Sequence, residues 1–126
     1  MTPASFWRVL FTVAAAFNLT VGLALLSFAG AILPLLGMTA PSNPLFLQLA
    51  AGLVAVFGVG YALAAHDPVA NRGIVLIGAI GKAPVPLIVW LNMQAGHASA
   101  QLFMLSLGDL AFAIAFVVYL MRPRAA

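Results

Sequence analysis

Lys82 and Asp109 are the two ionisable side chains that lie well inside apolar stretches of this sequence. Lys82 lies in GKAPVP, between GIVLIGAI and LIVWL, and Asp109 lies in GDLAF. A charge at the centre of a bilayer costs an apparent ~2.5–3.5 kcal/mol on insertion scales, and pairing with an opposite charge reduces this cost. The first question is therefore whether the two residues can meet, and the second is whether such a pair binds anything.

The composition is that of an integral membrane protein. Hydrophobic residues make up 65% of the 126 residues and charged residues 6%, whereas a soluble domain carries about 25% charged residues. The length fits a single domain, residues 1–126, whose main partner is the lipid bilayer. The net charge of +3 comes from five basic and two acidic residues, which is too few for a nucleic-acid surface. The absence of cysteine excludes disulfides, thiolate chemistry and cysteine-ligated clusters within the chain.

Four apolar segments come close to the roughly 20 residues that cross a bilayer core. They run approximately over residues 6–29, 45–65, 73–93 and 100–121. The first is longer than the roughly 7–15-residue apolar region of a signal peptide, so we interpret it as a transmembrane helix. The short linkers, with cap-like signals at Asn43, Asp67 and Ser99, predict an antiparallel four-helix transmembrane bundle.

The arginines predict the orientation of this bundle. Arg8, Arg72, Arg122 and Arg124 all fall on one side of four spans, while the first and third linkers hold neither lysine nor arginine. That side should be cytoplasmic, with both termini inside. Aromatic residues fall near the predicted boundaries, with Trp7, Tyr61 and Tyr119 on the inner side and Trp90 on the outer.

The depths of Lys82 and Asp109 can be estimated from helix geometry. At 1.5 Å per residue each lies about 14 Å into its span, from opposite faces. Because a hydrocarbon core is about 30 Å thick, both fall near the midplane on consecutive helices. We predict a Lys82–Asp109 contact, direct or through water, with Gly81 and Gly108 allowing the helices to approach.

Further polar side chains could join this pair. Asn18 lies about 18 Å into the first span, and Ser106 precedes Asp109 by three residues on the same helix. Gln48, like Asn92 and Gln101, lies toward an outer helix end, which is consistent with a polar cavity opening outward. The candidate ligand-binding residues are Lys82, Asp109, Asn18, Ser106 and Gln48.

Two prolines follow the lysine. Pro84 cannot donate to the carbonyl of Ile80, and Pro86 cannot donate to that of Lys82. The helix should therefore bend just beyond Lys82 and leave two carbonyls that need other partners.

The sequence assigns no catalytic residue, metal site or cofactor. His66 and His97 fall on opposite predicted sides, so they cannot jointly hold a haem or metal, and we interpret them as surface residues. His66 and Asp67, with Arg72, are expected to cap and pin the inner turn. No GxSxG, HExxH, P-loop or dinucleotide motif is present, which favours a function other than catalysis.

The layout resembles that of the DoxX-like superfamily of small bacterial four-helix membrane proteins. The resemblance rests, in chain order, on NLTVGLALL, LPLLGM, LAAGLVAVFGVGYALA, NRG and GDLAF. It implies a bacterial inner (plasma) membrane location and an association with membrane redox complexes, quinone-linked oxidoreductase subunits among them. GKAPVP maps onto no motif of that family, so no functional residue is carried over.

Several functions remain open from the sequence. The chain could bind or transport a small molecule or ion at a midplane site around Lys82 and Asp109, as a homo-oligomer because four short helices enclose little volume. It could instead be an accessory subunit whose glycine- and alanine-rich faces dock onto a larger complex. A quinone-linked enzyme subunit is the least favoured of the three. The ion pair itself could serve only to fix the helix register.

Overall fold

The computed structural model describes residues 2–123, whose regular secondary structure is all helical with no strand among them. Arg124, predicted on the inner side, lies outside the described residues. The helices are α1 (Pro3–Leu35), α2 (Leu45–His66), α3 (Arg72–Lys82), α4 (Val85–Gln94) and α5 (Ala100–Met121).

Four helical segments are long and apolar enough to span a membrane: α1, α2, α5 and the pair α3–α4, which together cover Arg72–Gln94. They form a four-helix bundle whose outer surface carries many large apolar side chains. Phe46 is 79% exposed and Leu53 is 62% exposed. Exposed apolar surface on this scale would be a liability in water, and it is what a lipid-facing surface requires.

Helix α1 is longer than the first predicted span. It continues past residue 29 to Leu35, with a break in helical geometry at Phe28 (φ −135°, ψ 33°). Gly37 ends it with a left-handed φ of 68°, and the Met38 amide donates to the Leu33 carbonyl at 2.8 Å. This is the Schellman arrangement that glycine favours.

The apolar linker after α1 is tied back onto the bundle. The Ser99 hydroxyl, at the start of α5, donates to the carbonyl of Leu36 and also caps α5 by accepting from the Leu102 amide at 3.0 Å. The predicted cap at Ser99 is therefore confirmed, and the same side chain ties the linker to α5.

The turn between α2 and α3 is held differently from the prediction. Asp67 Oδ1 accepts from the Ala70 amide at 3.1 Å, as a capping carboxylate would. Arg72, however, reaches across to donate to the carbonyl of Leu120 in α5. Asn71 pins the turn instead, since its Nδ2 donates to the Leu63 carbonyl at 3.0 Å and to the Asp67 carbonyl at 2.9 Å.

Aromatic side chains from three helices form the core at one end of the bundle. The Phe11 ring lies 5.7 Å from that of Phe116 and 5.1 Å from that of Tyr119. Trp7 packs edge-on against Tyr119 at 5.2 Å, and Tyr61 packs against Phe116 at the same separation. Trp7, Tyr61 and Tyr119, which are predicted near the inner boundary, are all buried inside the bundle.

Close packing of α1 on α2 depends on a glycine. A Cβ atom at Gly22 would lie 2.6 Å from the amide nitrogen of Ala55 and 2.8 Å from the carbonyl oxygen of Ala51. Real Cβ atoms essentially never come within 3.0 Å of such atoms, so only glycine permits this backbone approach. A Cβ atom built on Gly52 or on Gly81 would have nothing within 4 Å. The expectation that Gly81 lets two helices approach is therefore wrong.

Candidate functional site

The ammonium group of Lys82 lies where three helices meet. Its Nζ donates to Oδ1 of Asp109 on α5 at 2.6 Å and to Oδ1 of Asn18 on α1 at 2.7 Å. The predicted Lys82–Asp109 contact is thus confirmed as a direct ion pair, and Asn18 joins it. Among residues 2–123 this is the one ion pair between side chains, so the charges in the interior neutralise each other.

Asn18 extends the network to a fourth helix. Its Nδ2 donates to the backbone carbonyl of Val54 on α2 at 3.1 Å, while its oxygen accepts from Lys82. Gly22 lies one turn beyond Asn18 on the same face of α1. The close backbone approach at Gly22 therefore brings the α2 carbonyl within reach of the amide.

Three aromatic rings surround the ammonium group. The centroids of Phe17, Tyr61 and Phe112 lie 5.2, 5.4 and 5.3 Å from Nζ, within the ~6 Å range of cation–π attraction. Gly108 makes room for one of them, because a Cβ atom there would approach the Phe17 ring to 3.3 Å. These three rings were not predicted from the sequence, although Phe112 follows Asp109 by three residues and thus shares its helix face.

A cavity of about 280 Å³ adjoins the ion pair. All three polar members of the network contribute to its lining, and the remaining walls are mostly apolar. The lining residues are Phe17, Asn18, Val21, Leu53, Val54, Phe57, Tyr61, Gly81, Lys82, Val85, Leu105 and Asp109. A molecule in this space would contact hydrocarbon on most sides and a charged pair at one point.

The proline-containing segment forms one wall of that cavity. Helix α3 ends at Lys82, where the Ala83 amide makes the last regular bond to the Ala79 carbonyl at 3.0 Å. The ladder resumes when the Ile88 amide donates to the Pro84 carbonyl at 2.9 Å. The regular helix is thus interrupted just beyond Lys82, which lies at the end of a helix rather than within one, while the bend expected there stays a prediction.

The two other candidates do not reach the site. Ser106 is buried, but its hydroxyl donates to the Phe103 carbonyl of its own helix at 2.6 Å, and it does not line the cavity. Gln48 is exposed near the start of α2 and likewise lies outside the lining. Asn92 is exposed and donates to the Ile88 carbonyl at 2.9 Å. The structure thus brings together Lys82, Asp109 and Asn18, but not these side chains.

The site offers hydrogen bonding and charge rather than metal binding. No group of three or more His, Cys, Asp or Glu side chains that could hold a metal occurs among the described residues. His66 and His97 are both exposed. An ammonium, a carboxylate and an amide can bind a polar group or exchange a proton.

Comparison with protein-family models, with curated proteins and with solved structures found no match to this chain. The resemblance to the DoxX-like superfamily therefore stays a prediction, and the function has to be inferred from the geometry of the site.

Proposed function

We propose that this chain is an integral membrane protein that binds a small molecule with one polar end and an apolar body in the cavity beside Lys82 and Asp109. One observation carries the proposal: the charged pair lines a cavity of about 280 Å³. An ion pair that served only to fix helix register would require no space beside it, and filling that space with apolar side chains would improve packing.

The chemistry of the pair defines the polar end of the ligand. An ammonium has three N–H donors, and the two partners of Lys82 are Asn18 and Asp109. The Asp109 side chain is 20% exposed and keeps a second oxygen for a donor. A hydroxyl or a protonated carboxyl group meets both requirements, whereas a carbonyl group meets only the first, by accepting from the ammonium.

The size of the cavity limits the ligand. Pockets for small molecules usually measure about 300–1,000 Å³, so about 280 Å³ accommodates a small one. The apolar walls favour a hydrocarbon or ring body over an inorganic ion. Binding at this site would also be the first step of transport.

The finer topology belongs to the same proposal: an antiparallel bundle in a bacterial inner membrane, with both termini cytoplasmic and the pair near the midplane. Support comes from Arg8, Arg72 and Arg122, which line a common pocket. They come from the start of α1, the start of α3 and the end of α5. Their grouping at one end fits the excess of positive charge on the cytoplasmic side.

Docking onto a larger complex is the alternative, and one observation weakens it. The small residues that could mediate docking are partly used inside the chain, because Gly22 packs on the backbone of Ala51 and Ala55. Self-association remains compatible with the apolar outer surface.

The test uses Lys82 as a reporter, because it is the sole lysine of the chain. Labelling with ¹⁵Nζ-lysine gives one side-chain resonance in detergent micelles. We would titrate hexanoic acid, hexanol, 2-heptanone and a short-chain benzoquinone. At least one should shift the resonance saturably, with Gln48→Met as a matched control that leaves the shift unchanged.

Native mass spectrometry of gently extracted protein provides a second test, because it detects any small molecule that stays bound to the chain. A small molecule should accompany the native chain and be lost from the Lys82→Met/Asp109→Asn variant, provided that both are folded by circular dichroism. If the two samples carry the same adducts and no probe moves the resonance, the pair is purely structural and the proposal is wrong.

A further inference from the structure

We propose that a second site, lined by three arginines, binds a phosphate group. The site is a pocket of about 370 Å³ formed by the start of α1, the α2–α3 linker and the end of α5. It shares no lining residue with the Lys82 cavity, so this proposal does not depend on the proposed function. Its charged lining residues are Arg8, Arg72, Arg122 and Asp67.

The positive charge of this pocket is not neutralised within the described chain. Three guanidinium groups face one carboxylate, that of Asp67. Among residues 2–123 no arginine forms an ion pair with an acidic side chain, since the salt bridge found there joins Lys82 and Asp109. Asp67 Oδ1 already accepts from the Ala70 amide. The pocket thus has a surplus of two positive charges for an anion.

Two of the guanidinium groups are held in place by the aromatic core. The Arg122 group lies 5.3 Å from the Trp7 ring and 5.8 Å from the Tyr119 ring. The Arg72 group lies 5.5 Å from the Tyr119 ring and donates to the Leu120 carbonyl. Because Trp7 and Tyr119 are buried and pack against each other, these contacts preorganise the cations.

The donor set matches phosphate better than other anions. A guanidinium presents its N–H donors as a planar fork, and several forks around one centre suit the oxygens of a phosphate group. A single carboxylate has only two oxygens and would leave part of the set unused. Basic pockets between transmembrane helices on the cytoplasmic side typically bind lipid headgroups. The phosphate could belong to a phospholipid headgroup or to a soluble phosphate.

The fluorescence of Trp7 can report binding directly. The chain has two tryptophans, and Trp90 is 45% exposed, so Trp90→Phe leaves Trp7 as the single emitter, beside Arg122. The titrants, in uncharged detergent, are dioleoylphosphatidylglycerol, dioleoylphosphatidylcholine, glycerol 3-phosphate and inorganic phosphate.

A saturable change with the phosphatidylglycerol alone assigns a lipid headgroup, and a change with glycerol 3-phosphate or inorganic phosphate as well assigns a soluble phosphate. If the phosphatidylcholine acts as strongly as the phosphatidylglycerol, or if no titrant changes the emission, the proposal is wrong.

Substitutions that remove a positive or a negative charge from the pocket distinguish binding at this site from attraction to the net charge of the protein. In the Trp90→Phe background, Arg8→Gln should weaken binding about tenfold, as expected for losing a charge-assisted hydrogen bond. Asp67→Asn keeps an acceptor for the Ala70 amide but removes the negative charge, and it should strengthen phosphate binding. Asn92→Asp lowers the net charge by the same amount as Arg8→Gln, at an exposed position outside the pocket, and should change nothing.

Arg8 and Asp67 are both exposed, so these variants should fold. Affinities that follow net charge alone, with Asn92→Asp as damaging as Arg8→Gln, would overturn the assignment.

Discussion

Nζ of Lys82 lies 2.6 Å from Oδ1 of Asp109, and the two side chains differ in exposure, at 6% and 20%. The lysine is enclosed by Asn18 and three aromatic rings, whereas the aspartate keeps an accessible side. Charges in a medium of low dielectric constant attract strongly but lose their hydration. The pair should therefore matter most when only one partner is removed.

Removing the aspartate alone should be severely destabilising. Asp109→Ala leaves a buried ammonium without its counter-charge, and we expect a loss of about 3–5 kcal/mol in the free energy of unfolding. The Lys82→Met/Asp109→Leu variant removes both charges and should recover most of that loss. Denaturant titration in mixed micelles, followed by circular dichroism, measures both. A double variant no more stable than Asp109→Ala would show that the ion pair is worth more than its desolvation cost.

Asn18 should stabilise the bundle through Lys82. Asn18→Leu removes the acceptor for Nζ and the donor to the Val54 carbonyl, and each such bond contributes roughly 0.5–1.5 kcal/mol, or more to a charged group. We expect a loss of about 2 kcal/mol, reduced when Lys82→Met is already present, because the two act as a unit. The control is Asn92→Leu, an exposed amide that bonds only within its own helix. Strictly additive losses in the double variant would contradict the bridging role.

The close approach of α1 to α2 gives a prediction with a matched pair of glycines. Gly22→Ala places a Cβ atom against the backbone of Ala51 and Ala55, and overpacking of this kind costs about 1–3 kcal/mol. Gly52→Ala meets nothing within 4 Å and should be neutral or slightly stabilising, since alanine is the better helix former. Denaturant titration followed by circular dichroism measures the free energy of unfolding of both variants. Equal effects at the two positions would mean that α1 and α2 are not packed as described.

The prolines after Lys82 should control the position of its side chain. In a Pro84→Ala/Pro86→Ala variant the amides of residues 84 and 86 can donate to the carbonyls of Ile80 and Lys82. We expect both amides to become protected from hydrogen exchange and the Lys82 ¹⁵Nζ resonance to shift as the helix closes. An unchanged resonance, with both amides protected, would show that the interruption of the helix after Lys82 does not determine the position of the Lys82 side chain.

The sequence predicted the pairing of Lys82 with Asp109 because depth along a helix depends only on its rise per residue. It did not predict the rings of Phe17 and Tyr61 around the ammonium. Which face of α1 or α2 meets α3 depends on packing between helices, here on the contact at Gly22. Periodicity within one helix does not contain that information.

The prediction that Ser106 belongs to the site was wrong for a reason within its own helix. A spacing of three residues puts it beside Asp109, but a serine hydroxyl can satisfy itself on a carbonyl of the preceding turn, as Ser106 does on Phe103. Gln48 was predicted from its height along the helix alone, and its side chain is exposed. The longer α1 was not predicted because the first span was bounded by the roughly 20 residues that cross a bilayer, whereas the helix continues through Pro34 to Leu35.

The proposed orientation can be tested because the chain lacks cysteine. A single cysteine at Val69, which is 78% exposed in the α2–α3 linker, should react with a membrane-impermeant maleimide only after the cells are permeabilised. One at His97, which is exposed between α4 and α5, should react in intact cells, because the two linkers flank a single span. Ala113→Cys, buried in α5, is the control that should resist labelling in both conditions. The reverse pattern would place the arginines outside, and labelling of both linkers from one side would mean that α3–α4 does not cross the membrane.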